Sequence, residues 1–248
     1  MNRYEGKKVV VIGGTSGIGL ATAKMLADGG GRVLVTGRSQ AGLDSTQKAL
    51  GGNGIAVSSD ARSLADIDTL AARVKSEFAS FDLLFVNAGF GMFAPLANTS
   101  DATFEEMFNL NAKGPFFAVQ KLSPLISRGG SVVLTTSVAN VKGMPMIAAY
   151  GGAKAALRSF ARTFAAELLP AGIRVNAVSP GPIETPIIGK AFSDKAMADH
   201  LTEQMRESNP MKRFGTPEEV AKAVLFLAFD ATFTTGLELP VDGGWSQL

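Results

Sequence analysis

The chain has 248 residues, of which 46% are hydrophobic and 19% charged, and its formal net charge is +2. This composition supplies a large apolar core and excludes a disordered chain, while the scattered lysines and arginines form no basic stripe for nucleic acid. The lack of cysteine excludes disulfides and thiolate chemistry, and the lone histidine, His200, excludes a multi-histidine site, so we expect no metal. Because no apolar run approaches about 18 residues and the first residues are polar, we expect no membrane segment, no secretory signal and a cytoplasmic location.

Short apolar runs alternate along the chain with segments of helical periodicity, a pattern typical of a parallel sheet covered by helices on both faces. It predicts an α/β fold in one domain, with a doubly wound, Rossmann-type sheet of seven strands. The predicted strands are 8–12, 32–36, 55–58, 83–86, 131–135, 174–178 and 237–240, and the predicted helices are 18–27, 43–50, 64–78, 103–126, 148–169 and 217–229. The remaining segment, 182–211, is predicted to be an irregular excursion beside the substrate.

A glycine-rich turn joins the first predicted strand to the first helix. Glycine can adopt positive φ and lets the backbone approach a pyrophosphate, and the helix N-terminus attracts the negative charge. A tight turn without a ligand is the alternative, whereas a P-loop is excluded because no Gly-Lys-Ser/Thr closes the run. The turn consists of Gly13, Gly14, Thr15, Ser16, Gly17, Ile18 and Gly19.

The second predicted strand is followed by Arg38 and Ser39. A dinucleotide site that selects NAD places a carboxylate here for the ribose 2′-hydroxyl, whereas an arginine accommodates a 2′-phosphate. The sequence therefore favours NADP(H), with NAD(H) possible. The alternative is that Arg38 is an ordinary solvated charge.

Tyr150 and Lys154 are spaced so that they share one face of a predicted helix. An ammonium held beside a phenol stabilises the phenolate, so we expect Lys154 to lower the pKa of Tyr150 and make it a proton donor and acceptor. Gly151 and Gly152 weaken this helix, which indicates that another group approaches closely there. Ser137 follows a strand at the carboxyl edge, where open parallel sheets bind ligands.

Together these features resemble the short-chain dehydrogenase/reductase family, over residues 8–244. The resemblance implies hydride transfer between a nicotinamide and a carbonyl carbon, with Asn111, Ser137, Tyr150 and Lys154 as the catalytic residues. Ser137 would hold the carbonyl oxygen, Tyr150 would give the proton, Lys154 would hold the nicotinamide ribose and Asn111 would anchor a water. The residues expected to bind the cofactor are Gly13, Thr15, Ser16, Gly17, Ile18, Gly19, Arg38, Ser39, Asp60, Ala61, Asn87, Ala88, Gly89, Tyr150, Lys154, Pro180, Gly181, Ile183 and Thr185.

Two positions depart from the family pattern. Ile12 stands where the family usually has threonine, and Val86 where it usually has asparagine. The strands that carry them are neighbours in the family's order. We therefore expect an apolar contact to replace a polar one without changing the cofactor site.

The side chains expected around the substrate are mostly apolar, which favours a hydrophobic or bulky ketone or secondary alcohol. They are Phe90, Ser137, Val138, Met144 and Ile187. A 3-oxoacyl carrier-protein reductase is an alternative, for which Lys121, Arg128 and Lys142 are the candidate docking residues. A non-catalytic NADP-binding regulator is an alternative of another class.

The resemblance also implies a homotetramer. Family members pair two long helices, here 103–126 and 148–169, and pair the last strand with helix 217–229. Apolar and small residues in the two long helices give them faces suited to such contacts.

Overall fold

The structure is a computed structural model that describes residues 2–185 and 195–248. Seven parallel strands form one sheet in the order β3-β2-β1-β4-β5-β6-β7. Residues such as Val9, Val10 and Val11, none of which is exposed, suit strands that helices cover on both faces. The strands are β1 (Lys8–Ile12), β2 (Arg32–Gly37), β3 (Gly54–Ser58), β4 (Phe81–Val86), β5 (Ile126–Thr135), β6 (Arg174–Pro180) and β7 (Glu238–Val241).

The helices cover both faces of this sheet and create one apolar core on each. One core includes Leu84, Leu122 and Leu157, and the other includes Leu26 and Val224. The α-helices of the described residues are α1 (Gly17–Asp28), α2 (Gln40–Leu50), α3 (Leu64–Phe78), α4 (Asp101–Phe108), α5 (Gly114–Leu122), α6 (Ala148–Leu168), α7 (Lys195–Ser208) and α8 (Pro217–Leu225). The predicted fold class, a doubly wound α/β sheet of seven strands, is confirmed.

The strand order reverses between β1 and β4, and this reversal positions the ligand site. After β1 the chain builds β2 and β3 on one side, and it then returns to place β4 on the other side of β1. A doubly wound sheet opens a crevice at the carboxyl ends of its strands at such a point. Ile12 and Val86 are partners in the β1–β4 register and both are 2% exposed, so they pack together as expected.

The prediction of one helix over 103–126 was wrong. Helix α4 ends at Phe108, a π-helical turn covers Asn109–Lys113, and α5 ends at Leu122 before a 3-10 turn. Pro115 lacks the N–H that a regular helix would donate to the carbonyl of Asn111, and the wider turn accommodates this, with Gly114 N bonded to Asn109 O. Ile126 is therefore the first residue of β5 rather than the last of a helix.

Part of segment 182–211, predicted to be irregular, is the helix α7. Leu201 and Met205 are spaced as on one helix face, but the residues around them are mostly polar, so the segment is less apolar than the helices that were predicted. Ile187, predicted to contact substrate, lies outside the described residues. None of the helices described is both long and apolar enough to cross a bilayer.

Candidate active site

A cavity of about 400 Å³ opens at the carboxyl edge of the sheet, at the strand-order reversal. Its wall brings together segments far apart in sequence, from the turn after β1 to helix α7. The lining residues are Gly13, Thr15, Ser16, Gly17, Ile18, Thr36, Gly37, Arg38, Ser59, Asp60, Ala61, Asn87, Ala88, Gly89, Phe90, Gly91, Leu110, Thr135, Thr136, Ser137, Tyr150, Lys154, Pro180, Gly181, Pro182, Ile183, Thr185 and Met205.

The glycine-rich turn forms one end of the cavity with its backbone. Gly13 has a φ of +80° and a Cβ there would lie 2.7 Å from Ala88 Cα, so no other residue fits without a shift. Asn87 Nδ2 donates to Gly13 O at 2.9 Å and fixes the turn against β4. Helix α1 begins at Gly17, and within the described residues the Ser16 side chain does not cap it. Its first N–H groups thus face the cavity, as an anion site requires.

Arg38 and Asp60 line the cavity just after β2 and β3, and the end of β2 contacts the glycine-rich turn, since a Cβ at Gly37 would lie 2.4 Å from Thr15. Arg38 is exposed, so its guanidinium can meet a ligand without losing an internal bond. Arg62 holds Asp60 through two nitrogens, at 3.0 and 2.5 Å, and also reaches Glu106 at 2.7 Å. Hydrogen bonds from Arg62 are the largest effect on the pKa of Asp60 and lower it, so the carboxylate stays charged.

Ser137, Tyr150 and Lys154 all line the cavity. Ser137 ends the extended segment after β5, and its Oγ accepts a hydrogen bond from Ala139 N at 3.2 Å. Tyr150 and Lys154 lie one turn apart on α6, and the amine is 5.8 Å from the centre of the phenol ring. Lys154 is 2% exposed and its Nζ donates to Thr135 O at 2.7 Å. The strand and helix therefore present all three groups to one space.

The expectation that Lys154 lowers the pKa of Tyr150 was wrong for this structure. Burial raises the pKa of Tyr150, while a hydrogen bond with Ser137 acts in the opposite direction. Burial also lowers the pKa of Lys154 to about 7, so the amine carries only part of a charge at neutral pH. Desolvation opposes the charged form of each group and is the largest cause of both shifts.

Asn111 lies in the π-helical turn and is fully buried behind the cavity wall. Its Nδ2 donates to Phe90 O at 2.9 Å and to Met107 O at 3.0 Å, and its Oδ1 accepts from Phe90 N at 3.3 Å. The amide therefore fixes the backbone at Phe90, which does line the cavity. Such paired bonds orient the segment between β4 and α4.

Most residues predicted to bind cofactor line this cavity, and a few lie behind it. Gly19 packs against Gly13, and Ser39 accepts a hydrogen bond from Gly42 N and caps α2 instead. Two predicted substrate residues do not line the described part of the cavity. Val138 is only 2% exposed and packs inside the fold, whereas Met144 lines a separate shallow hollow, because the turn after Ser137 leads away from the cleft.

Several lining residues were missed in the sequence. Thr36, Ser59 and Thr135 end or follow strands, and their position at the carboxyl edge was a usable signal. Pro182 and Met205 lie in segment 182–211, whose position beside the substrate was predicted, although the helix that carries Met205 was not. The lining residues that were not predicted are Thr36, Gly37, Ser59, Gly91, Leu110, Thr135 and Thr136.

Known proteins share this architecture and most of the sequence length. A family model described as enoyl-(acyl carrier protein) reductase matches residues 13–246. An oxidoreductase of Sarocladium schorii is 40% identical, over 100% of this chain and 99% of that one. A 2,5-dichloro-2,5-cyclohexadiene-1,4-diol dehydrogenase of Sphingobium indicum is 35% identical over 100% of both chains. A 3-ketoacyl-(acyl-carrier-protein) reductase of Brucella melitensis, crystallised with NADH, is 30% identical with a TM-score of 0.89 and covers 98% of this chain and 99% of its own.

The chain belongs to the short-chain dehydrogenase/reductase family.

Members of this oxidoreductase family differ in substrate, so the local chemistry of the cavity must narrow the choice. In this short-chain dehydrogenase/reductase a phenol, a hydroxyl and an amine converge beside a glycine-lined anion site. The first two can donate hydrogen bonds to one oxygen atom, and the third can exchange a proton near neutral pH. This arrangement suits a reaction in which negative charge develops on oxygen.

Proposed function

We propose that the protein is an NADP(H)-dependent oxidoreductase that transfers a hydride between the nicotinamide and a carbonyl or secondary alcohol. The observation that carries the proposal is the convergence of Ser137, Tyr150 and Lys154 in one cavity with the glycine turn. A regulator without catalytic activity would need the turn but not the three polar groups. Their grouping therefore favours an enzyme.

The residues present fit a dinucleotide. The glycine turn and the start of α1 would hold the pyrophosphate, and Gly89 leaves room beside Lys154, because a Cβ there would lie 3.1 Å from Nζ. Asp60 and Ala61 would hold the adenine side. Pro180, Gly181, Ile183 and Thr185 would hold the carboxamide. When bound, the nicotinamide supplies or accepts the hydride.

The protein's own groups handle the proton and the developing charge. Tyr150 Oη would give its proton to the substrate oxygen, and the Ser137 hydroxyl would donate a hydrogen bond to the same atom. Since burial raises the pKa of Tyr150, the phenol holds its proton at neutral pH, as the reductive direction requires. Lys154 would hold the ribose and return a proton to the phenol. Asn111 would anchor a water in that relay.

Arg38 supports the choice of NADP(H). It is exposed in the part of the cavity that would receive the adenine ribose, where the N–H groups of its guanidinium can bind a 2′-phosphate. Its positive charge also lowers the pKa of the Asp60 carboxyl, so a positive and a negative side chain lie near each other in this part of the cavity. The Brucella relative crystallised with NADH makes NAD(H) the alternative to test.

The substrate we propose is hydrophobic and possesses a ketone or secondary alcohol group, with a bulky or cyclic body. Phe90, Leu110 and Met205 contribute apolar surface to the cavity wall, and Met92 and Phe93 lie partly exposed just beyond Phe90. Apolar walls select weakly among hydrophobic bodies, so a range of ketones should react. The Sphingobium relative is named for a cyclic diol, which is consistent with this class.

A 3-oxoacyl carrier-protein reductase is the second candidate, favoured by the name of the Brucella relative, while the family model is named for a different carrier-protein reductase. Its acidic partner would need a basic docking surface. Lys121 pairs with Asp68 at 2.8 Å, Lys142 donates to Trp245 O and Arg128 to Pro170 O, so all three are engaged on separate segments. This arrangement supports the small-molecule reaction over the carrier-protein one.

A substrate panel followed by nicotinamide absorbance tests the proposal. NADPH and NADH are each offered with bulky cyclic ketones, small ketones, sugars and acetoacetyl groups on carrier protein and on a small thiol. Turnover with NADPH and the bulky ketones is expected. A strong preference for the carrier-protein thioester would favour the second candidate, and coenzyme binding without any turnover would favour the regulator.

We also propose a homotetramer in the cytoplasm. Phe226, Phe233 and Leu237 are exposed around α8 and β7, the elements that the family resemblance assigns to one subunit contact. Sedimentation at micromolar concentration tests the assembly, and a monomer there would contradict it.

A further inference from the structure

Glu238 lies on β7 and contacts three residues whose segments carry the candidate active-site groups, Thr136, Asn140 and Arg158. Its side chain is only 12% exposed. Its Oε1 accepts a hydrogen bond from Asn140 Nδ2 at 2.7 Å and lies 2.5 Å from Thr136 Oγ1, while its Oε2 is 3.3 Å from Arg158 Nε. One carboxylate therefore links the end of β5, the turn after it and helix α6.

The first two contacts lie on either side of Ser137. Thr136, 1% exposed, precedes the serine, and Asn140 ends the 3-10 turn that follows it. Within the turn, Asn140 N donates to Ser137 O at 3.0 Å. Holding Thr136 and Asn140 on one oxygen atom therefore restricts the direction of the Ser137 hydroxyl.

The third contact reaches the helix that carries Tyr150 and Lys154. Arg158 follows Lys154 by one helical turn, and its Nη1 donates to Gly236 O at 3.1 Å. Gly151 allows α6 to approach the turn, since a Cβ there would lie 2.8 Å from Ala139 O. The carboxylate thus joins the two elements whose separation sets the distance between serine and phenol.

Stability alone does not account for this ion pair. The Arg158 side chain is 16% exposed, and an ion pair removed so far from water contributes little net stability relative to apolar residues of similar volume. Apolar residues could fill the space, but they could not accept the hydrogen bond from Asn140 Nδ2, and the Thr136 hydroxyl would then donate to Val178 O at 2.9 Å instead. The charge and the acceptor oxygens of the Glu238 carboxylate therefore indicate that it fixes the relative positions of the elements it contacts.

We propose that Glu238 is a positioning residue that fixes Ser137 relative to Tyr150 and Lys154 by holding Thr136, Asn140 and Arg158 together. It does not touch the substrate. For its kinetic readout this inference rests on the proposed reductase function, whereas hydrogen exchange of the free protein tests it without turnover.

The test compares E238Q, E238L and the double variant R158M/E238L. The glutamine keeps an acceptor oxygen but not the charge, the leucine loses both, and the double variant also removes the unpaired arginine. We expect kcat to fall about tenfold in E238Q and about a hundredfold in E238L, with the Kd for NADPH unchanged. Backbone amides of 139–141 should exchange at least about tenfold faster in E238L. The double variant should regain thermal stability but not kcat.

Glu77→Gln is the matched control, because Glu77 pairs with Arg73 at 2.7 Å on α3, outside the cavity wall. It should change neither kcat nor exchange at 139–141. If E238L does not fold, Thr136→Val and Asn140→Ala, which remove the donors, must show both changes instead.

The proposal requires slower turnover and faster exchange together. Either change without the other would overturn it, as would recovery of wild-type kcat in R158M/E238L, since a purely structural pair would be replaceable. If the wild-type protein reduces no substrate, the proposed function fails, and the exchange rates alone then decide whether Glu238 fixes the turn.

Discussion

Tyr150 and Lys154 are both less charged in this fold than they would be in water, because burial opposes the phenolate and the ammonium alike. A protonated phenol beside a partly neutral amine is ready to donate a proton to a carbonyl oxygen. The reverse reaction, alcohol oxidation, needs the phenol to accept a proton. These protonation states suit the proton donation that the proposed reduction needs at neutral pH.

Replacing Tyr150 by phenylalanine removes the proton donor and leaves the ring in place. We expect kcat to fall by at least about a hundredfold, which is the usual contribution of a positioned general acid. The Kd for NADPH, measured by fluorescence titration, should change less than twofold because the glycine turn is untouched. Residual turnover above a tenth of the wild-type rate would show that another group supplies the proton.

The buried amine of Lys154 predicts how stability depends on pH. Its pKa is 10.5 in the unfolded chain and about 7 in the fold, so the unfolded chain binds more protons between these values and stability rises with pH. Lys154→Met should therefore raise the free energy of unfolding by up to about 5 kcal/mol near pH 7, with the gain shrinking toward pH 10. Urea unfolding of both proteins across this range, without coenzyme, measures the difference. A gain independent of pH would contradict the shift.

Arg38→Ala tests the choice of coenzyme. Loss of a charge-assisted pair with a 2′-phosphate should raise the KM for NADPH roughly tenfold to a hundredfold. The KM for NADH, measured on the same variant, serves as the control and should stay within about twofold. Equal changes in the KM for the two coenzymes would mean that Arg38 does not bind the 2′-phosphate.

Helix α6 has two adjacent glycines with different surroundings. At Gly151 a Cβ would lie 2.8 Å from Ala139 O, whereas at Gly152, which is exposed, it would make ordinary contact 3.8 Å from the Phe108 ring. The expectation that a group approaches this helix closely is thus met at the first glycine. The approaching group is the turn after Ser137.

Gly151→Ala should therefore displace α6 from that turn and lower kcat by about tenfold or more, because a small misplacement of reacting groups is costly. Gly152→Ala is the matched control, and it should raise stability by up to about 1 kcal/mol through helix propensity without changing kcat. Initial rates and urea unfolding of both variants provide the comparison. Equal rates in the two variants would contradict the role assigned to the close contact.

The predicted helix 103–126 shows what limits element prediction. Its apolar period continues through Pro115, and periodicity does not say whether a proline bends, widens or ends a helix. The close approach of Gly114 to Ala61, where a Cβ would lie 2.0 Å from the carbonyl oxygen, depends on tertiary packing and has no local signal. The same limit applies to Val138, whose neighbour Ser137 lines the cavity while Val138 is buried.

At the scale of the whole molecule, the sequence predicts the sheet and most of the cofactor cleft, because strand length, alternation and the glycine turn are local patterns. Arg38, Asp60, Asn87 and Lys154 are far apart in sequence yet line one cavity. The motifs predict this through the carboxyl-edge rule for parallel sheets. The substrate side depends on where loops and α7 fold back. Met205 lines the cavity, as predicted for segment 182–211, whereas Val138 and Met144 do not, because the direction of the turn after Ser137 has no local sequence signal.

The exposed phenylalanines beyond α8 provide the last prediction, for the assembly. Phe233 is fully exposed and Phe226 is 48% exposed. Contact of these aromatic rings with water is unfavourable unless another subunit covers them. Phe233→Asp would place a charge in that contact, and because the long helices would provide the second contact, tetramers should dissociate to dimers. Leu64→Asp, at a position 39% exposed on α3, which belongs to neither contact, is the control and should remain tetrameric. Sedimentation velocity at micromolar concentration distinguishes the species, and a tetramer of Phe233→Asp would show that this surface lies outside the contact.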